Sequence, residues 1–432
     1  MIPAIARWFP PSKHSRRGNL RPGRGRTPAG RLVIGSGVLA LTLGAAACGS
    51  SGGSNGSVAG LHAAPIRVMG IGGYTVTDPL AYLETDLRAA AAAVNRAGGI
   101  HGHPLQMLIC DDNGDPNKNI ACSRQAVADH VAAVITTDAD TVAGLPILRA
   151  AGIPVISTLG FWTQELTSNY VFPINGGAPG ESAANAALLV KGAHARRIAI
   201  VYADQPDGLQ AAQAAAAALK RLGITSVRMV PMNEHTTTDP TPVVIRSTEG
   251  GIQAVLLILA YDAADRYLRA AYRLHIGNVT FGSDEDTFPP SVIKDLGPEA
   301  NGTLVVASSI PLTMTSQKPV QEFLKQMHPY RGFTLSNWTI PNIGVDNYTA
   351  VQLFAQVAKT VPAVTAQSMQ AALSRARNVQ AGGMSAPLQF VHAVRGYAGI
   401  TRIFNDKVLL MRIENGKLVP IGGRVQWVSP LS

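Results

Sequence analysis

Short apolar stretches alternate with helix-length stretches along most of this chain, and that alternation leaves few folds open to it. Ile66–Ile71 reads as a strand, and Leu80–Ala97 as an alanine-rich helix closed by Gly98-Gly99. Leu105–Cys110 reads as strand, Asn117–His130 as helix, Ala132–Thr136 as strand, Leu145–Ala151 as helix and Gly152–Ser157 as strand. A second series opens at Arg197–Tyr202. It continues with a helix over Gly208–Leu222, strand Ser226–Val230, a helix ending at Arg246, strand Ala254–Leu259, helix Ala263–His275 and strand Val279–Gly282. Strands separated by helices of about ten to fifteen residues form parallel sheets covered on both faces. About 370 residues are involved, more than one hydrophobic core usually serves, so two lobes of like topology are predicted. Sheets of this kind bind ligands at the carboxyl ends of their strands, and two lobes facing each other enclose a cleft. The predicted fold is α/β: two Rossmann-like lobes with parallel sheets and a ligand cleft between them.

The N-terminal region follows different rules. Residues 1–31 hold eight basic side chains (Arg7, Lys13, Arg16, Arg17, Arg21, Arg24, Arg26 and Arg31) and no acidic one. The apolar run Leu32–Ala47 is too short to span a bilayer comfortably but suits the h-region of a secretory signal. Leu43-Gly44-Ala45-Ala46-Ala47-Cys48, small residues directly before a cysteine, resembles a bacterial lipobox. That resemblance implies a signal peptide over 1–47, lipidation of Cys48, and a chain held on the extracytoplasmic side of the cell membrane. Residues 48–64, with Ser51-Gly52-Gly53-Ser54, then form a flexible tether. A basic tail on a cytosolic protein is the alternative. Setting the eight charges aside from the formal +10 leaves +2, so a nucleic-acid partner loses its support.

Three cysteines agree with export: lipidation of Cys48 leaves the pair Cys110 and Cys122, which an oxidising compartment would join. Asp115-Pro116 between them has the form of an N-cap followed by proline at the first helical position. Cys122 then falls about two turns into that helix, where the chain can fold it back toward Cys110. Simple core packing of both cysteines is the alternative. No metal site is expected, since no third and fourth ligand stand at suitable spacing.

One block is more specific than the alternation around it. Asn95-Arg96-Ala97-Gly98-Gly99-Ile100-His101-Gly102-His103-Pro104-Leu105 is similar to the segment N-x-x-G-G-I-x-G-x-x-L of type I periplasmic binding proteins, the leucine/isoleucine/valine-binding family. Asp111-Asp112-Asn113-Gly114-Asp115-Pro116 continues it, and Gly152–Ser157, Asn169–Asn175, Gln253–Tyr261, Asn301-Gly302 and Gly344–Ala355 are further echoes. The similarity runs from about Pro65 to Val428. It implies one lobe of residues 65–174 plus 309–400 and another of 175–308 plus 401–432. A three-segment hinge is implied near Pro173–Gly180, Ser308–Pro311 and Gly396–Thr401. It also implies a monomeric solute-binding protein of an ABC importer, with a small-molecule ligand, a membrane permease as partner, no cofactor and no catalysis.

The residues expected at the ligand depart from that family. The family's S-P-A-A-T segment, which holds a ligand carboxylate and ammonium, corresponds here to Ser157-Thr158-Leu159-Gly160-Phe161-Trp162. Its serine-rich loop corresponds to Thr137-Asp138-Ala139-Asp140-Thr141, where either aspartate would repel a carboxylate. The acidic contact to an amino group falls close to Asp284, and a lobe 2 tyrosine is matched loosely by Tyr261. Tyr74, after the first strand, is a further candidate. Acidic and aromatic groups together (Tyr74, Asp138, Asp140, Phe161, Trp162, Tyr261 and Asp284) suit a cationic, hydroxylated or apolar ligand. Asp284-Glu285-Asp286, three carboxylates in one loop, resembles a cation site and reads at least as well as an outer-surface loop. No Gly-x-Ser-x-Gly, P-loop or His-Glu-x-x-His motif is present. A ligand-sensing receptor on the same fold, and a hydrolase using Asp284–Asp286, are the competing classes.

Overall fold

The computed structural model describes residues 61–75, 82–137, 141–337, 340–395 and 399–429. The signal segment, Cys48 and nearly all of the tether lie outside the described residues. Two sheets organise the rest. The first is wholly parallel, in the order β2-β1-β3-β4-β5, from β1 (Ile66–Gly72), β2 (Leu105–Asp111), β3 (Ala133–Thr136), β4 (Val155–Ser157) and β5 (Val171–Pro173). Its crossovers carry α1 (Tyr82–Arg96), α2 (Pro116–Ala128) and α3 (Leu145–Ala150).

The second sheet repeats the winding. β6 (Ile198–Ala203), β7 (Val227–Met232), β8 (Ala254–Ile258), β9 (Thr280–Asp284) and β10 (Leu304–Ala307) lie in the order β7-β6-β8-β9-β10, all parallel. The antiparallel strands β11 (Val408–Glu414), β12 (Lys417–Pro420) and β13 (Trp427–Val428) extend it beyond β10. Its helices are α4 (Gly177–Gly192), α5 (Pro206–Arg221), α6 (Thr241–Thr248), α7 (Tyr261–Arg273) and α8 (Pro290–Leu296). The molecule is thus a two-lobe α/β protein with parallel sheets. Central strands such as β3, β8 and β10 are buried along their whole length, because helices cover both faces.

Chain order and lobe membership part company at the C-terminal half. After β10 the chain forms α9 (Lys318–Met327), α10 (Pro341–Ala358) and α11 (Ala366–Leu373), and α9 and α10 pack on α1 beside the first sheet. Alternation of strand and helix does not announce these three helices, since no strand separates them. α10 is buried along almost its whole length, including Asp346, Asn347 and Thr349. Tyr348 meets Phe323 of α9 edge-to-face at 4.9 Å.

The first crossing between the sheets is short and tightly held. Asn175 Nδ2 donates to Thr158 O at 2.7 Å and to Asp346 Oδ2 at 3.0 Å, while its Oδ1 accepts from Gly177 N at 3.0 Å. Gly177 has φ +62°, and a Cβ there would stand 2.3 Å from Gly160 O, so only glycine fits. One side chain therefore ties the end of the first sheet, α10 and the start of α4 together.

Cys110, on β2, and Cys122, on α2, are joined by a disulfide with Cα atoms 5.6 Å apart. Asp115 caps α2, accepting from Asn117 N at 2.8 Å and Lys118 N at 3.0 Å, with Pro116 at the first helical position. Replacing both cysteines by alanine should lower unfolding stability by about 2–3 kcal/mol, the chain-entropy contribution of so short a loop. Urea unfolding of the two proteins measures it, and equal midpoints would show that the bond adds nothing.

Candidate functional site

Parallel strands deliver their carboxyl ends to one edge of each sheet, and the two edges meet at the crossings. Five carboxylates gather there. Asp284 closes β9, Glu285 and Asp286 follow it, Glu181 stands one turn into α4, and Asp346 comes from α10. The local cause is a close approach of helix to strand. A Cβ at Gly282 would lie 2.9 Å from Asn185 Oδ1, so the missing side chain lets α4 settle on β9. Glu181 precedes Asn185 by four residues and so lies on the same helix face, over the strand's end.

Four of the five carboxylates have partners from the protein. Glu285 Oε1 accepts from Ser308 N at 2.8 Å, Ser308 Oγ at 3.0 Å and Ser309 N at 3.1 Å. Asp284 Oδ1 accepts from Thr287 Oγ1 at 2.9 Å and Thr287 N at 3.1 Å. Asp286 accepts from Asn342 Nδ2, and Asp346 accepts from Asn175. Glu181 is only 5 % exposed.

Electrostatics follow from this crowding. Burial raises Glu285 to about 8, with Asp286 adding to the rise and the Ser308 and Ser309 donors opposing it. Burial and then Asp284 raise Asp286 to about 7, while the Asn342 bond pulls it down. Glu181 and Asp346 are pushed well above the carboxylate range, first by burial and then by neighbouring carboxylates. Asp284 is raised by burial against its Thr287 hydrogen bonds. Like charges in a poorly solvated volume cannot all ionise, so part of the cluster holds protons near neutrality.

Each lobe also holds a buried carboxylate near its strand ends. Glu165 accepts from Ser157 Oγ at 3.1 Å and from the amides of Phe161 and Trp162 at 3.3 Å, and burial raises it to about 7. Glu234 accepts from Ala260 N at 2.5 Å, and burial raises it likewise to about 7.

The structure treats the sequence candidates unequally. Asp284 stands in the carboxylate cluster, at a strand's carboxyl end. Asp284-Glu285-Asp286 is not an outer-surface loop: Glu285 is 7 % exposed and bonded to the chain leaving β10. Phe161 and Trp162 are half-buried on the turn after β4, whose Thr163 Oγ1 reaches across the lobes to Gln210 on α5 at 3.0 Å. Trp162 also borders an open groove of about 1100 Å³, with Thr141, Arg149 and Tyr170. Tyr261 is half-buried at the first position of α7. Tyr74 is 2 % exposed and belongs to the core, its hydroxyl near Thr137 and its pKa raised chiefly by burial. Asp138 and Asp140 lie outside the described residues. Glu181, Asp346, Asn175 and Asn342 escaped sequence reasoning as site residues, although Asn175 and Asp346 sit inside two of the family echoes. Among the described residues, no three His, Cys, Asp or Glu side chains converge to hold a metal ion.

A two-lobe α/β fold with parallel sheets is the architecture of a class of small-molecule binding proteins. This chain belongs to the periplasmic binding protein family, whose sequence profile matches residues 74–415. No curated protein sequence matches it. Solved structures share the fold at low identity. The leucine binding protein LivK from Thermotoga maritima is 14 % identical with TM-score 0.64, over 82 % of this chain and 97 % of that one. LivJ from Streptococcus pneumoniae, solved with isoleucine, is 14 % identical with TM-score 0.64, over 84 % of this chain and 99 % of its own. An ABC transporter solute binding protein from R. palustris, solved with 4-hydroxybenzoate, is 19 % identical with TM-score 0.65, over 83 % and 95 %.

The raised carboxylates fix the sign of the pH dependence. A group whose pKa is higher folded than unfolded binds more protons folded, and its stabilisation is lost as pH rises through the folded value. For Asp286, Glu165 and Glu234, at about 7, and Glu285, at about 8, that window spans neutrality. The ligand-free protein should therefore melt at higher temperature near about pH 5.5 than near about pH 8.5. Thermal scans in matched ionic strength check this, and a higher melting point at the alkaline end would contradict it.

Proposed function

We propose that this chain is an extracytoplasmic solute-binding protein that closes its two lobes on a small ligand and hands it to an ABC importer. The observation that carries the reading is the meeting of both sheets' carboxyl strand ends at a hinge bridged by Asn175, Asp346, Asn342 and Asp286. Residues 65–174 with 309–400 would form one lobe, and 175–308 with 401–432 the other. Lipidation of Cys48 would hold the protein at the membrane beside its permease. Phe161, Trp162, Tyr261 and Asp284, with Asp138 and Asp140, would line the ligand's approach, and Tyr74 would support that wall from the core. The protein acts as a monomer and transforms nothing.

Relatives of this fold hold different solutes, isoleucine in LivJ and 4-hydroxybenzoate in the R. palustris protein. Phe161 and Asp284-Glu285-Asp286 favour a ligand other than a plain branched-chain amino acid. A panel of amino acids, amides, amines, sugars and aromatic acids, scored by thermal shift, tests the reading. A ligand at one hundred times its dissociation constant adds about 2.7 kcal/mol, enough for a visible rise in Tm. Cells lacking the protein should then lose uptake of the stabilising solute. Stabilisation with uptake intact would instead mark a sensor, and a flat response across the whole panel would count against solute binding.

A further inference from the structure

The chain enters its fold at one pole of the first sheet. Leu61 is the first described residue, and a Cβ at Gly99 would meet its Cδ1 at 3.2 Å. His103 Nδ1 lies 2.7 Å from Ala64 O, just ahead of β1. Both contacts stand at the amino ends of β1 and β2, the edge opposite the carboxyl strand ends. Parallel winding returns each crossover helix to that edge, so α1 and α2 end there. α10 ends there too, because His101 Nε2 stands 3.1 Å from Val361 O, just beyond that helix. α11 lies alongside, with Gln370 Nε2 donating at 2.9 Å to Asn169 O, ahead of β5. Arg96, at the end of α1, donates to Gln326 O and so ties the end of α9 to the same pole.

That pole is basic. Arg96 closes α1, Lys325 stands in the last turn of α9 and Lys359 caps α10. Arg331 follows α9, and Arg375 and Arg377 follow α11; all six side chains are exposed. Helix C-termini favour cations, which accounts for the first three. Arg331, Arg375 and Arg377 stand on connections, where that cause does not apply. The acids at these helix ends are already engaged: Glu322 pairs with Lys325 at 3.9 Å, and Asp129 accepts from Gln125 Nε2 at 3.4 Å. An open groove of about 850 Å³ runs between the end of α10 and α11, past Thr360, Arg375, Arg377 and Gln380. None of its described lining residues is acidic.

Building on the membrane-anchored reading, we infer that this pole of the first lobe rests on an anionic lipid surface, its bases facing the phosphate headgroups. Twelve residues, 49–60, separate Cys48 from Leu61, so a lipid on Cys48 stands at most roughly 45 Å from the pole. The face where the chain emerges is therefore the one held nearest the bilayer. Bases within about 8–10 Å of an anionic leaflet are drawn to it, whereas salt screens those farther away. Arg375 and Arg377 flank a groove open to a headgroup, and a guanidinium meets phosphate with two parallel hydrogen bonds. Contact at the amino ends leaves the carboxyl strand ends of both sheets uncovered. The lobes can then open and close on solute while the protein waits at the bilayer.

Hydrogen exchange tests this on protein isolated from the membrane fraction and reconstituted on vesicles. One set is phosphatidylcholine alone, the other phosphatidylcholine mixed with phosphatidylglycerol. Amides of residues 96–103 and 359–380 should exchange several-fold more slowly on the anionic vesicles than on the neutral ones, and high salt should remove the difference. The combined variant Arg331→Gln, Lys359→Gln, Arg375→Gln and Arg377→Gln should lose that protection. A second variant, Arg196→Gln, Lys220→Gln, Arg273→Gln and Lys294→Gln, sheds the same charge from exposed positions around the second sheet and should keep it. Equal exchange on both vesicles, or protection that the first variant retains, overturns the proposal. Equal protection by a soluble polyanion such as heparin overturns the lipid in favour of a general anion site. Absence of the protein from the membrane fraction removes the anchor and this surface together, while the solute panel still decides solute binding by itself.

Discussion

Parallel pairing is the constraint on which the rest of this protein depends. A parallel strand cannot follow its neighbour through a tight turn, so each pair requires a crossover, and every crossover returns the chain to the same edge. All the carboxyl strand ends of one lobe are thereby gathered on one side. Two lobes wound in the same order, β2-β1-β3-β4-β5 and β7-β6-β8-β9-β10, each carry such an edge. The crossings between them bring the edges together, and a side chain as small as Asn175 then touches the first sheet, α10 and α4 at once.

That geometry explains why a protein with so few charged residues collects carboxylates at one place. Strand ends and helix starts expose unsatisfied amide N–H groups that donate to carboxylates, and the chain uses them: Ser308 and Ser309 donate to Glu285, Phe161 and Trp162 to Glu165, Ala260 to Glu234. These bonds lower each pKa and burial raises it, and burial wins in all three. Protonation relieves the repulsion of such a cluster.

Fold and ligand choice answer to different parts of this chain, for a physical reason. Identities of 14–19 % preserve a backbone, because hydrophobic pattern and volume suffice to specify it. Ligand choice rests on a handful of side chains at the strand ends, which sequence drift alters without disturbing the core. Isoleucine and 4-hydroxybenzoate in two relatives of nearly equal TM-score show how little the backbone restricts the solute.

Much of the fold was legible in the sequence, because its period is local. The strands and helices of both β/α series, the Asp115 cap and the pairing partner of Cys110 each depend on neighbours within about a dozen residues, where propensity and spacing carry information. Asp284 was singled out only through the family resemblance, not from the pattern around it. The three consecutive helices α9, α10 and α11 were not legible, since α9 and α10 are buried on α1, more than two hundred positions away, and α11 packs on α10. Nor was the site. Glu181 reads as an ordinary polar residue in an alanine-rich helix, and Asp346 as one in a helix with Asn347 and Tyr348 beside it. Only the folded chain places both against Asp284 and Asp286, because that meeting rests on Gly282 admitting α4 to the sheet and on Asn342 and Asn175 tying α10 to the hinge. Sequence determined the layers, whose cause is local periodicity. Tertiary structure alone decided which charges share one buried volume, since that depends on contacts between elements distant along the chain.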